Sequence, residues 1–234
     1  MCGRYVTPGL SGIEPLFDLD AIADDLPAPT FNARPTFGIR PGDRQPPVPV
    51  VLETEREAKR TRRLVAAGWP FIPAWSRTRV LRASRFNARS EGIASKPMWQ
   101  NAVVDHRALF PAVGYFETQG SGGDGHRYYF HAEDGILALG GVWSWWRGSP
   151  SAPWELTAAI VTVAAPDGAA AVHDRAPLVL PPDSWDAWLD AETAGTQHFV
   201  DGMATLAQRE VARLPFHEVA RLDEDSPRMI ARLS

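Results

Sequence analysis

Turn-forming residues interrupt this chain along its whole length. Its 234 residues include 21 prolines and 19 glycines. Proline removes a backbone donor, and glycine adopts backbone conformations that tight turns need. We therefore predict many turns and short strands. The length suffices to bury a substantial core as one large domain or two small ones, and no internal repeat or low-complexity linker marks a boundary.

Apolar runs and helical periodicity predict where the elements lie. Strands are predicted at residues 49–52, 108–117, 128–131, 136–143, 156–163 and 214–219. Helices are predicted at residues 12–25, 95–103, 182–189 and 198–212. The runs at 128–131 and 136–143 are expected to pair, and residues 120–125 to form a hairpin connection. Residues 56–63 read as a basic turn or strand end, and residues 222–234 as a loose tail.

The number of cysteines and the hydropathy of the chain indicate its cellular compartment. The chain has one cysteine, so it forms no intramolecular disulfide, which fits a reducing environment. Residues 1–25 hold no basic segment followed by an apolar run, and no stretch approaches the length of a membrane span. We therefore expect a cytoplasmic protein with no membrane partner.

Positive charge is concentrated in one part of the chain, although the formal net charge is −4. Residues 56–89 contain ten arginine or lysine residues and one acidic residue, Glu57. Trp69 and Trp75 lie beside this run, and aromatic rings interleaved with arginines suit the unstacked bases and backbone of a single-stranded nucleic acid. The alternative is that the charges form a solvated face and that both tryptophans are core residues.

Cys2 offers unusual chemistry because it directly follows the initiator methionine. If Met1 is removed, Cys2 carries an α-amine and a thiol on adjacent carbons. The amine, with a pKa of about 7.7–8.0, is far more nucleophilic at neutral pH than a lysine. It can condense with an aldehyde, and the thiol can then close on the imine to give a five-membered thiazolidine. The alternative is that Cys2 is a small buried apolar residue.

Three further polar residues are candidates for catalysis. Asn87 precedes Ala-Arg-Ser-Glu, Glu117 ends an apolar strand, and His173 leads an apolar run. Each has an ordinary alternative, such as an exposed strand-end carboxylate for Glu117 or a salt-bridged pair with Asp174 for His173. The six histidines are scattered and no zinc-type ligand cluster accompanies the lone cysteine, so we expect no metal and no cofactor.

Five motifs, in this order along the chain, carry a family resemblance. They are Met-Cys-Gly-Arg at residues 1–4, Trp-x-x-Ile-Pro-x-Trp at 69–75, Asn-Ala-Arg-Ser-Glu at 87–91, Gly-Tyr-Phe-Glu at 114–117 and His-Asp-Arg-x-Pro-Leu-Val-Leu at 173–180. Together they resemble the SOS response-associated peptidase (SRAP) family, over residues 2–189. The resemblance implies a single α+β domain of curved, mainly antiparallel sheets with a barrel-like core, flanked by helices. It would span residues 1–234, with 190–234 as a C-terminal extension packed on it.

The resemblance also implies a function and a set of site residues. A protein of this family would bind single-stranded DNA and crosslink covalently to abasic sites, in this case as a monomer that associates with the nucleoid when bound. Cys2 would be the nucleophile, Asn87 would position its amine or thiol, Glu117 would shuttle protons, and His173 would assist formation and reversal of the imine. The residues expected to contact DNA are Arg4, Asn32, Trp69, Trp75, Arg89 and Arg175. A carboxylate desolvated beside Tyr115 and Phe116 would have a raised pKa, which suits proton donation at neutral pH.

The sequence departs from the family pattern at four places, none of which removes a proposed catalytic group. Thr118 follows Glu117 where the family has tryptophan, Ala176 replaces a methionine, Pro70 replaces a glycine, and Asn32-Ala33-Arg34-Pro35 replaces Asn-x-Ala-Pro. Two other functions remain open. One is a cysteine peptidase with an N-terminal nucleophile, acting on its own N-terminus or on peptides. The other is a non-covalent module that binds single-stranded nucleic acid.

Overall fold

The computed structural model describes residues 2–34, 47–56, 59–79, 85–120, 125–220 and 224–233. The strands are β1 (Tyr5–Val6), β2 (Ala21–Ile22), β3 (Pro47–Arg56), β4 (Lys59–Gly68), β5 (Asn87–Arg89), β6 (Arg107–Ala112), β7 (Gly114–Gln119), β8 (His126–His131), β9 (Leu137–Trp146), β10 (Glu155–Ala164), β11 (Arg175–Pro177), β12 (Val179–Leu180) and β13 (Phe216–Val219). The helices are α1 (Leu10–Phe17), α2 (Gln100–Asp105), α3 (Trp185–Leu189) and α4 (Gln197–Val211).

The strands form two sheets. The smaller sheet has the order β1-β7-β8-β13 and is antiparallel throughout. The larger sheet has the order β11-β10-β4-β3-β6-β9-β12, and β9 also pairs with β10. This additional pairing closes β10, β4, β3, β6 and β9 into a ring. The expected α+β architecture of curved, mainly antiparallel sheets around a barrel-like core is confirmed.

The ring closes because its central strands are apolar on both faces and approach one another closely. Every residue of β10 from Leu156 to Val163 is buried. On β9, a Cβ at Gly141 would lie 2.4 Å from Phe110 and 2.6 Å from the carbonyl oxygen of Ala159, so only glycine fits there. The ring interior is therefore part of the main hydrophobic core rather than a channel.

The smaller sheet separates two cores, and β7 contributes to both. Tyr115 belongs to the main core, whereas its neighbour Phe116 belongs to a second, small core with Tyr129 and Met229. Alternate residues of a strand point to opposite faces, so Tyr115 and Glu117 share the face that looks toward the main core. This alternation is what turns Glu117 inward.

Helix α4 covers the ring from outside and begins and ends almost where the sequence predicts. Thr196 caps it by accepting a hydrogen bond from the backbone of Phe199 at 3.2 Å. Its buried residues recur at three- or four-residue intervals and form one apolar face, Val200, Met203, Ala207 and Val211. In the part of the chain that the structure describes, no helix is both long and apolar enough to cross a membrane.

Several predicted elements differ from those observed. The strand predicted at 108–117 is two strands, β6 and β7, which lie in different sheets on either side of Val113. The predicted pairing of 128–131 with 136–143 is wrong. Strand β8 pairs instead with β7, which precedes it in the chain, and with β13. Gly135, with a φ of 81°, lies in the connection that carries the chain to β9 in the other sheet.

The other differences concern segment ends. The helix predicted at 12–25 ends at Phe17, because Asp18 takes a left-handed conformation (φ 47°), and the chain then enters β2. Of the two readings of the basic segment 56–63, a turn or a strand end, the structure shows the second, because its described residues belong to the β3–β4 ribbon. The tail is packed from residue 224 onward, with Met229 buried. Residues 35–46, 57–58, 121–124 and 221–223, parts of the predicted loops and tail, lie outside the described residues, as does Met1.

Candidate active site

Cys2 lies in the interior, tied to the strand that carries Asn87. Its side chain has no exposed surface, and its thiol makes a long contact of 4.0 Å with the carbonyl oxygen of Arg4. The side-chain amide of Asn87 donates a hydrogen bond to the carbonyl oxygen of Cys2 at 2.9 Å. Asn87 is the first residue of β5, which pairs with β10. The N-terminal segment is therefore anchored to the closed ring by Asn87.

Glu117 lies on the inward face of β7 and is 5% exposed. Burial raises the pKa of its carboxyl group to about 7. Burial also raises the pKa of the Cys2 thiol well above its usual range, and the negative charge of Glu117 adds to this effect. The two groups are therefore close enough to repel each other when both are ionised. At neutral pH the thiol is protonated, whereas Glu117 populates both of its forms and can donate or accept a proton.

His173 precedes β11 and can bond in two ways. Its Nδ1 lies 3.0 Å from the backbone nitrogen of Arg175 and 2.9 Å from Oδ1 of Asp174. The neutral ring accepts the N–H of Arg175, whereas the protonated ring donates to Asp174. Burial lowers the pKa of His173. The neutral form with the Arg175 bond therefore prevails at neutral pH, and Asp174 is positioned to stabilise the ring when it takes up a proton.

A cleft of about 290 Å³ gives access to Glu117 and His173. Its lining comprises Gly3, Arg4, Phe116, Glu117, Thr118, Gly120 and His173. We call this space the Cys2 cleft, because Gly3 and Arg4 directly follow Cys2. Thr118 stands at the position where the sequence departs from the family pattern, so this departure shapes the mouth of the cleft.

The predicted DNA contacts separate into two groups, of which the first remains accessible. Arg4 lines the cleft and donates to the side-chain oxygen of Asn32 at 3.1 Å, and Asn32 in turn donates to the carbonyl oxygen of Glu224. Arg89 is exposed on β5. These residues stay candidates for phosphate contacts.

The second group requires correction. Trp69 has no exposed surface, donates its indole N–H to the carbonyl oxygen of Phe86 at 2.8 Å and meets Tyr5 edge-on, so it is a core residue and not a stacking platform. Arg175 is nearly buried and bonds both oxygens of Glu91 at 2.7 and 2.9 Å. Its guanidinium group is occupied by this ion pair, so the structure does not support the expected phosphate contact of Arg175.

Trp75 is 57% exposed but lies in a different region. It lines a groove of about 240 Å³ with Met98, His106, Trp145 and Trp154. We call this the tryptophan groove. Trp145 and Trp154 are also about half exposed, and the guanidinium carbon of Arg147 lies 4.5 Å from the centre of the Trp154 ring. The sequence analysis did not single these residues out, although the run Trp-Ser-Trp-Trp at 143–146 was a visible signal.

Two tyrosines beside Cys2 also escaped the sequence analysis as functional residues. Tyr5 and Tyr115 are fully or almost fully buried, and ionisation of either one is opposed by a negative charge on Cys2. Tyr5 follows the Met-Cys-Gly-Arg motif directly, which is the one signal that pointed to it. Within the described residues, no group of three or more histidine, cysteine, aspartate or glutamate side chains could hold a metal ion.

Comparisons with known proteins identify relatives of this chain. The abasic site processing protein YedK of Escherichia coli is 27% identical over 202 residues, which cover 84% of this chain and 83% of that protein. The abasic site processing protein YoaM of Bacillus subtilis is 23% identical, over 85% of this chain and 83% of that protein.

Solved structures show the same fold. A protein from Bacteroides thetaiotaomicron aligns with a TM-score of 0.68 at 19% identity, over 81% of this chain and 82% of that one. A protein from Bordetella bronchiseptica aligns with a TM-score of 0.69 at 18% identity, over 94% of this chain and all of the other. The model of the family described as SOS response associated peptidase (SRAP) matches residues 1–222. The chain therefore belongs to the SRAP family.

Proposed function

We propose that this protein processes abasic sites in single-stranded DNA by forming a thiazolidine crosslink through Cys2 after removal of Met1. The observation that carries the proposal is the clustering of Cys2 with Asn87 and Glu117, with His173 facing the same cleft as Glu117. A nucleophile, a residue that orients it and two groups able to move protons near neutral pH are the parts that condensation with an aldehyde needs.

The first half of the reaction joins nitrogen to the sugar. The α-amine of Cys2 attacks the C1′ aldehyde of the ring-opened abasic sugar, a C–N bond forms, and the nitrogen loses a proton while the aldehyde oxygen gains one, which gives a carbinolamine. The carbinolamine then loses its hydroxyl group as water when an acid donates a proton to it, and the nitrogen gives up its remaining proton, which leaves an imine. Glu117, whose pKa is about 7, supports both steps because it can accept the first proton and donate the second.

The second half joins sulfur to the same carbon. The thiol proton leaves, the sulfur electron pair forms the C–S bond, and the π electrons of the imine move to nitrogen, which takes up a proton. The net change is one aldehyde plus one aminothiol giving one thiazolidine and one water. The hydrogen bond from Asn87 to the carbonyl oxygen of Cys2 restrains the residue that carries both the amine and the thiol.

The peptidase alternative receives less support from the site. A cysteine peptidase needs a thiolate, and thiolates occur where positive charge lowers the thiol pKa. Here burial and Glu117 raise the pKa of Cys2. Hydrolysis of the Met1–Cys2 peptide bond is nevertheless required for the crosslink, so self-processing and crosslinking can occur at the same residue.

The test is a crosslinking assay with a single-stranded oligonucleotide that carries one abasic site. The parent protein, shown by mass spectrometry to have lost Met1, should form an adduct that survives denaturation, and undamaged DNA should give none. Cys2→Ser keeps the amine and should give an adduct only after borohydride reduction of the imine. Glu117→Gln should slow adduct formation by about 100-fold or more.

Two results would contradict the proposal. One is a Cys2→Ala variant that forms a denaturation-resistant adduct as well as the parent does. The other is binding to undamaged and abasic DNA alike, with steep salt dependence and no adduct, which would favour the non-covalent module. Release of a peptide product in the absence of DNA would favour the peptidase.

A further inference from the structure

Three tyrosine hydroxyls are buried in this structure without a hydrogen-bond partner among the described residues. They belong to Tyr5, Tyr115 and Tyr129, whose side chains are 0%, 1% and 2% exposed. Buried phenols usually bond to a partner, because an unmade hydrogen bond costs free energy. Each of these hydroxyls therefore needs an explanation.

Two of the three face the interior beside Cys2. Tyr5 of β1 and Tyr115 of β7 are direct partners in the antiparallel register, so their side chains project from the same face of the smaller sheet. Glu117, two residues beyond Tyr115, lies on that face as well. Cys2 belongs to the same core cluster as both tyrosines. The two tyrosines and Glu117 therefore project from one face of the smaller sheet into the core that contains Cys2.

Packing fixes both rings. Tyr5 meets Trp69 edge-on with ring centres 5.6 Å apart and Phe110 at 6.3 Å. Tyr115 stacks on Phe130 with ring centres 5.0 Å apart and planes within 4°. A buried hydroxyl on a fixed ring is an oriented donor that needs no rearrangement when a charge develops near it.

Electrostatics tie these hydroxyls to Cys2. Burial raises the pKa of Tyr5 well above its usual range, and the charge of Cys2 adds to it. For Tyr115 the causes are burial, then Glu117, then Cys2. Both phenols therefore stay protonated at neutral pH and remain donors. Burial alone raises the pKa of Tyr129, which lies in the small core with Phe116 and Met229.

We propose that the hydroxyls of Tyr5 and Tyr115 donate hydrogen bonds to the Cys2 sulfur as it loses its proton, and so accelerate closure of the thiazolidine ring. This proposal rests on the proposed function and adds two residues to the crosslinking reaction. The thiol proton passes to the Glu117 carboxylate, the sulfur forms the C–S bond with the imine carbon, and the nitrogen takes the proton back from Glu117. The tyrosines neither gain nor lose a proton.

The tyrosine pair offsets the effect of burial on ionisation of the Cys2 thiol. A buried thiol resists ionisation, and here Glu117 adds to that resistance. Oriented O–H donors oppose both effects only while the sulfur carries charge, so they act on ring closure and not on attack by the amine. Losing one such donor should slow closure about tenfold, which corresponds to about 1.4 kcal/mol.

The experiment compares Tyr5→Phe, Tyr115→Phe and Tyr129→Phe in single-turnover crosslinking to abasic DNA. Aliquots are quenched at intervals with or without borohydride, which traps the imine and leaves the closed ring unchanged. We expect the first two variants to form the imine at the parental rate and to close the ring about tenfold more slowly, so that the borohydride-dependent adduct accumulates. Tyr129→Phe is the matched control and should behave as the parent.

All three substitutions keep the ring and remove only an unpartnered hydroxyl, so the variants should fold with unchanged or slightly higher stability. Parental closure rates in both Tyr5→Phe and Tyr115→Phe would overturn the assignment, and so would an equal loss in Tyr129→Phe. These outcomes leave the proposed function intact, since the parent still crosslinks. If the parent itself forms no adduct, both proposals fall.

Discussion

The Cys2 cleft and the tryptophan groove differ in how each is built. At the cleft the important groups are buried: Glu117, which lines it, and Cys2, which precedes its lining residue Gly3, are 5% and 0% exposed, and burial changes the pKa of both. In the groove the prominent side chains are exposed, with Trp75 at 57% and Trp154 at 52%. Desolvation prepares groups for proton transfer, whereas exposure leaves aromatic faces available for contact. The first region is suited to chemistry and the second to binding.

One sequence motif links these two regions. The segment from Trp69 to Trp75 begins in the core, where Trp69 packs against Tyr5, and ends at the surface in the tryptophan groove. Between its ends, the backbone N–H of Ile72 bonds to the buried hydroxyl of Thr157 at 2.9 Å, which fixes the segment to β10. Two tryptophans six residues apart therefore have opposite roles.

The largest expected effect separates the two tryptophans by stability. Trp69→Ala should lower the free energy of unfolding by about 3–5 kcal/mol, because it leaves a large cavity and removes the bond to Phe86. Trp75→Ala should change it by about 0.5 kcal/mol or less, as surface substitutions do. Urea unfolding followed by circular dichroism measures both. Equal losses would show that the two ends of the segment are not as different as their burial indicates.

A second test uses the raised pKa of Glu117. Between its ordinary pKa of 4.5 and the value of about 7 in the folded state, the folded protein holds a proton that the unfolded chain has lost. The contribution of Glu117 to stability is therefore full below pH 4.5 and is lost as the pH rises to 7. Glu117→Gln lacks this loss, so its stability relative to the parent should rise by about 3 kcal/mol between pH 4 and pH 8.

Denaturant titrations across this pH range measure the difference. His173 titrates in both proteins, so its contribution cancels to first order. If the difference in the free energy of unfolding between the parent and Glu117→Gln does not change with pH, Glu117 is solvated in the folded protein. Desolvation would then not distinguish the cleft from the groove.

The sequence motifs mark residue types that the fold brings together, but they do not predict every position correctly. Cys2, Asn87, Glu117 and His173 are far apart in the chain, yet their motifs marked all four. The inward direction of the Glu117 side chain follows from the alternation of side chains along a strand and could be anticipated. Motifs do not report burial, however, which is why Trp69 is among the expected DNA contacts although a core position was the alternative.

Tertiary partners explain the remaining errors. The guanidinium group of Arg175 is occupied by Glu91, which lies 84 positions away in the chain. Strand β9 lies in the ring between β6 and β10 instead of pairing with β8. Its residues are apolar on both faces, and Gly141 allows close approach to Phe110 of β6 and Ala159 of β10. Tyr5 and Tyr115 lie beside or within the quoted motifs, but tyrosine is also an ordinary strand residue, so the sequence does not show that their hydroxyls lack partners.

The smallest expected effect tests whether the tryptophan groove contributes to binding. If bases beyond the lesion stack on Trp75, then Trp75→Ala should weaken binding of single-stranded DNA by about 1–3 kcal/mol, roughly 5- to 150-fold in Kd, without changing the crosslinking rate at saturating DNA. Fluorescence anisotropy at fixed salt measures the affinity. Leu16→Ala removes another exposed apolar side chain, 46% exposed, from α1 and serves as the control. If both variants bind as the parent does, the groove has another role, and DNA is held by the residues around the Cys2 cleft alone.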